Sequence, residues 1–184
     1  MKKHRINCPL IIESVPGHDK NKSKFLSLID QSSGSMINDD NDYITRTDYY
    51  CDSESKLYRP LAISFIQNTI SKILNSLIDE KTCRFYLKNV WYQQYFKTDT
   101  HDWHHHLRSQ KTAIEVNNSV FSVIYYLELP KGTPGTEFRD PYTGRSHFPK
   151  VKEGDLILFP SFINHRSPPN KSDKRKTIIS TNIK

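Results

Sequence analysis

Between residues 59 and 81 the apolar side chains recur every three or four positions: Leu61, Phe65, Ile66, Ile70, Ile73, Leu74, Leu77 and Ile78. That spacing lays one apolar stripe along an α-helix, and Pro60 suits the first turn, where a missing N–H costs no hydrogen bond. From residue 83 onward the period changes. The stretches 83-CRFYLKNVWYQQYF-96, 119-SVFSVIYYLEL-129, 155-DLILFP-160 and 176-KTIISTNI-183 are aromatic and β-branched, alternate roughly, and are punctuated by Pro/Gly clusters. One long helix laid on many short strands argues against a βαβ sheet. It predicts a mainly β (α+β) domain, a sandwich or jelly roll with helical cover.

The first 58 residues carry a weaker signal. A short helix is expected around 22-KSKFLSLIDQ-31, and the Ser/Gly/Asn/Asp tract 31-QSSGSMINDDND-42 reads as turn and loop. A chain of 184 residues is long enough to bury one core. Residues 1–82 are therefore expected to form a cap within the same domain as a β core of residues 83–184. The three cysteines, Cys8, Cys51 and Cys83, show no CxxC spacing and read as free thiols of a reducing compartment. There is no signal-peptide core and no membrane-length apolar run, so a cytoplasmic protein without membrane partners is expected. A net charge of +7 attracts anions without naming one. Its densest run, 171-KSDKRK-176, lacks interleaved aromatic rings and reads as a solvated strand end.

Four of the eight histidines stand in 101-HDWHHH-106. On a regular strand, side chains two positions apart share a face, so His104 and His106 point together, with Asp102 on their side. His101 and His105 fall on the other side. Two imidazoles so placed can converge on a cation. Far downstream, Pro160 breaks a strand and His165 opens the return, followed ten residues later by Arg175 and Lys176. A non-heme iron site needs two histidines and a third ligand with open positions. A bound dicarboxylate would also need a cation at its far end, for which a guanidinium fork is apt.

The ordered set Tyr95, Thr98 and His104-x-His106, then SVIYYLELP, then GDLILFPSFINHRSPP and RKTIISTN, resembles the 2-oxoglutarate and iron(II)-dependent dioxygenases. Within them it is most similar to small oxygenases of bacteria and phages near the prolyl-hydroxylase branch, over about residues 83–182. The resemblance implies a double-stranded β-helix core, with Fe(II) and 2-oxoglutarate as cofactors and ascorbate as an optional reductant. It implies His104, His106 and His165 as iron ligands, Arg175 as the salt-bridge donor to 2-oxoglutarate, and Tyr126 as a hydrogen-bond donor to the same carboxylate. Thr177, two residues after Arg175, takes the place of the family's Ser in an Arg-x-Ser pair. The implied reaction is hydroxylation of a C–H bond in a peptide, protein or small molecule, an amino-acid side chain such as proline being the target the fold neighbourhood suggests.

Three departures from the family pattern bear on these expectations. The early pair is His-x-His where most members have His-x-Asp or His-x-Glu, which keeps Asp102 open as a ligand in place of His106. Thr98 stands where the family has Gly, and 107-LRSQKTAIEVNNS-119 is longer than the corresponding loop, as a lid or a passive insertion would be. Lys176 competes with Arg175 for the anion, because neighbours on a strand face opposite ways. Trp91 and Trp103 read as packing residues, Trp103 with the option of walling a pocket. Two other classes stay open: a cupin-like metal-binding module that keeps the histidines without needing Arg175, and a basic protein or oxygenase directed at nucleic acid.

Overall fold

A computed structural model describes residues 9–39, 41–77, 84–106 and 120–184. In chain order these form β1 (Ile11–Ser14), α1 (His18–Gln31), β2 (Ser35–Asp39), β3 (Asp42–Thr47), α2 (Arg59–Leu77), β4 (Leu87–Tyr95) and β5 (His101–His104). There follow β6 (Phe121–Glu128), β7 (Glu137–Arg139), β8 (Ser146–His147), β9 (Asp155–Pro160), β10 (His165–Ser167) and β11 (Lys176–Ile183). Seven strands make one antiparallel sheet in the order β1-β9-β6-β11-β4-β3-β2, and four make a smaller one, β5-β10-β7-β8. The expected mainly β jelly-roll architecture is present. The N-terminal segment gives the larger sheet three strands as well as its helical cover.

Two apolar layers hold this together. The stripe on α2 buries Ala62, Ile66, Ile70, Ile73 and Leu74 against Val90, Tyr92, Val123, Tyr125, Leu156, Leu158 and Ile179 of the large sheet, with Phe25 and Ile29 of α1. Each fully buried Ile or Leu here contributes about 2 kcal/mol by leaving water. Between the two sheets lies a second cluster: Ile44, Tyr95, Ile124, Tyr126, Phe138, Ile157, Phe159, Ile163 and Ile178. Alternation along β11 follows from this arrangement. Ile179 and Ile183 face the helices, whereas Ile178 faces the smaller sheet.

Two local expectations change. The short helix starts earlier, at His18. The tract read as loop contains β2, which among the described residues is an edge strand paired only with β3. Helix α2 is described as far as Leu77. Cys51 is a free thiol, while Cys8, Cys83 and the 107–119 loop lie outside the described residues. No helix among the described residues is long and apolar enough to cross a membrane.

Candidate metal centre

The inner face of the barrel brings distant histidines together at one end. His165 on β10 pairs with His104 on β5, and Ser167 pairs with His101. Three steps along β5 therefore answer two along β10, and the extra residue makes a bulge. The bulge changes the parity that a regular strand predicts. His101 joins His104 on the inner side, their rings stacked with centroids 3.9 Å apart. Asp102 turns the other way, its carboxylate accepting from the Asn41 amide at 3.2 Å. His106 lies past the strand end, its backbone N–H donating to the Ser161 carbonyl at 2.9 Å. His105 is exposed.

His104, His106 and His165 each offer one ring nitrogen to a common point, the three atoms lying within 4.8 Å of one another. Neither Asp102 nor His101 belongs to this group. The other ring nitrogen of each is committed. His104 Nδ1 donates to the Asp102 carbonyl at 2.7 Å, and His165 Nδ1 to the Ile163 carbonyl at 2.9 Å. His106 Nδ1 donates to the Asn182 amide oxygen at 2.7 Å. These acceptors take a proton and cannot give one, so each Nε2 carries its lone pair toward the centre. Burial first, then repulsion from neighbouring rings, pulls His104 down to about 3 and His106 to about 4, and holds His165 well below the usual histidine value. All three are neutral at pH 7, the state a metal requires.

Asn182 and Ser122, unremarked in the sequence, complete the support of His106. The Ser122 hydroxyl donates to the Asn182 amide oxygen at 2.9 Å and stands 2.9 Å from His106 Nδ1. Trp91 packs its ring 5.7 Å from His106, and Gln93 hydrogen-bonds His101 at 3.3 Å. The β4 alternation Trp91, Gln93, Tyr95 was the available signal for this wall. Trp103 does not wall the centre: its ring carries the guanidinium groups of Arg139 and Arg166, at 4.1 and 4.8 Å.

Of the two competing basic residues, Lys176 faces inward, whereas Arg175, the salt-bridge donor that the resemblance implies, faces away. Arg175 donates to Glu128 at 2.8 Å and Asp30 at 3.2 Å, and the Thr177 hydroxyl donates to the same Glu128 carboxylate at 2.5 Å. Both therefore sit on the face of β11 that looks away from the histidines. Lys176 is 1% exposed. Its ammonium donates to the Ser167 hydroxyl at 2.7 Å and the Pro134 carbonyl at 3.4 Å, over the Tyr95 ring at 4.8 Å. Among the described residues it makes no ion pair, and burial lowers its pKa to about 7. Tyr126 is fully buried on the same inner face; its hydroxyl donates to Thr136 Oγ1 and accepts from the Thr136 N–H.

Solved structures share this architecture. A Pseudomonas putida prolyl-4-hydroxylase superposes with a TM-score of 0.66 at 10% identity, covering 95% of this chain and 91% of its own. The viral collagen prolyl hydroxylase of Paramecium Bursaria Chlorella virus-1, in complex with 2-oxoglutarate, gives 0.54 at 18% identity, covering 94% of each chain. HygX from Streptomyces hygroscopicus, with nickel, 2-oxoglutarate and hygromycin B bound, gives 0.66 at 9% identity, covering 96% and 82%. At such identities the likeness is one of fold. No family model and no curated protein matches the sequence.

Proposed function

We propose that the chain is an Fe(II)- and 2-oxoglutarate-dependent oxygenase, with His104, His106 and His165 holding iron through Nε2 and Lys176 receiving the far carboxylate of 2-oxoglutarate. The observation that carries this reading is the pairing of two features inside one barrel: three neutral imidazoles with convergent lone pairs, and a buried ammonium that makes no ion pair among the described residues. The donor set fits. Three neutral ligands leave the charge of a divalent cation uncompensated, and a dianionic keto acid sets one carboxylate against that charge and the other against Lys176. A metal-binding module without oxygenase activity accounts for the histidines and leaves the cost of burying Lys176 unexplained.

When bound, iron and 2-oxoglutarate would supply the oxidising chemistry together with dioxygen, one O2 atom ending in succinate as carbon dioxide is lost and the other in the substrate hydroxyl. The protein's part is placement and exclusion of water. Backbone carbonyls of Asp102 and Ile163 and the Asn182 amide lock the three tautomers before any ligand arrives. Phe159 and Phe138 pack on His165, with centroids 4.7 and 5.9 Å away, and keep that side dry. Tyr126, committed to Thr136, builds the wall at the Lys176 end, while Arg175 and Thr177 brace β11 from outside. The substrate proposed is an amino-acid side chain in a peptide or protein.

Anaerobic titration with Fe(II) and 2-oxoglutarate tests the proposal, followed by succinate measurement in air. His165→Ala should abolish metal retention. Lys176→Met should weaken 2-oxoglutarate binding and leave metal binding intact. Metal binding without any 2-oxoglutarate binding or succinate would refute it.

A further inference from the structure

Away from the histidines, a groove of about 710 Å³ is lined by Lys22, Phe96, Glu128, Leu129, Pro130, Lys131, Glu153, Lys174 and Arg175. It shares no lining residue with the metal centre, and its size falls in the range of about 300–1,000 Å³ typical of ligand sites. Its charges are unevenly committed. Glu153 is held by Lys22 at 2.5 Å and by the Leu129 N–H at 3.0 Å. Glu128 is held by Arg175 and Thr177 through one oxygen, and among the described residues no donor meets the other. Asp173, between Lys174 and the strand before it, is taken by Lys97 at 2.7 Å. The exposed ammonium groups of Lys131 and Lys174 have no acidic partner among the described residues. Between them lies an apolar floor of Phe96, 40% exposed, with Leu129 and Pro130.

We infer that this groove docks a short acidic peptide segment that carries an apolar residue. The apolar side chain would lie on Phe96 and Pro130, its flanking carboxylates would reach Lys131 and Lys174, and a peptide N–H would meet that second oxygen of Glu128. The mixed signs decide between partners. DNA presents phosphates at every step and no matching donors along its backbone, so Glu128 and Glu153 would repel it, and for any nucleic acid one aromatic ring is a poor stacking platform. A peptide offers N–H donors and carboxylates together. The inference does not depend on the iron assignment.

The test is fluorescence anisotropy of the full chain, without metal or 2-oxoglutarate, against a labelled octapeptide alternating glutamate and leucine. Saturable binding should appear at low salt and weaken as salt screens the exposed pairs. Lys131→Glu with Lys174→Glu should weaken it at least about tenfold, and Phe96→Ala several-fold, with circular dichroism unchanged because all three side chains are exposed. Any one of four results overturns the inference: no saturable binding, equal binding of a lysine–leucine octapeptide, tighter binding of an oligothymidylate, or full affinity in the charge-reversed protein.

Discussion

Replacing Lys176 with methionine should stabilise the protein below pH 7 and remove a pH dependence above it. The ammonium is buried with a hydroxyl, a carbonyl and an aromatic face for company, and burial brings its pKa from 10.5 to about 7. Below pH 7 the lysine is charged in both states, so the native state carries the full penalty. Between pH 7 and 10.5 the unfolded chain holds a proton that the native chain has lost, so stability rises with pH. Each pH unit is worth about 1.4 kcal/mol, which over that interval comes to roughly 5 kcal/mol. Methionine has a similar length and no charge, so the variant lacks this slope.

Urea unfolding from about pH 6 to about pH 9 reads the difference directly. The variant's advantage should be largest at the acid end and shrink by about 1.4 kcal/mol per unit above pH 7. Saturating 2-oxoglutarate should flatten the wild-type slope, because a carboxylate beside the ammonium returns its pKa toward the ordinary lysine value. It should leave Lys176→Met unmoved. A difference between the two proteins that stays constant with pH would refute the reasoning, since Lys176 would then keep its proton in the native state throughout.

Asn182→Ala removes the acceptor for His106 Nδ1 and should lower metal affinity about 10- to 100-fold, read by cobalt(II) absorption; unchanged affinity would mean that the tautomer is set elsewhere. Arg175→Ala should leave 2-oxoglutarate affinity unchanged and cost at most about 1 kcal/mol in urea unfolding, because its ion pair with Glu128 is partly solvated. Thr98 is exposed and holds φ at 74°, a left-handed conformation that costs a β-branched residue about 1–2 kcal/mol. Thr98→Gly should therefore raise stability by about 0.5–1 kcal/mol after glycine's extra chain entropy is counted; a lower melting temperature would contradict this.

The amphipathic stripe of α2 and the alternation in β9 and β11 were readable because apolar period reports directly on which elements must be buried. β2 was not readable, since Ser35–Asp39 is exposed at nearly every position and an edge strand exposed on both faces leaves no alternation. Regular strand parity puts His104, His106 and Asp102 on one side, and the resemblance chose the two histidines; the shared side holds for His104 and His106 because His106 lies beyond the strand. Parity fails for His101 and Asp102 at a bulge created by pairing with β10, some sixty residues away in sequence. Which of Arg175 and Lys176 faces inward was not legible for a related reason. All eight residues of β11 are buried, so polarity does not mark its faces. A finer chemical asymmetry does mark them. The residues in step with Thr177 are Thr177, Ile179, Thr181 and Ile183, all β-branched and suited to packing beneath helices. Those in step with Lys176 are Lys176, Ile178, Ser180 and Asn182, which place an ammonium, a hydroxyl and an amide on one side. Groups of that kind are buried only where something polar meets them. On that face Asn182 meets His106, and the ammonium of Lys176 meets the Ser167 hydroxyl.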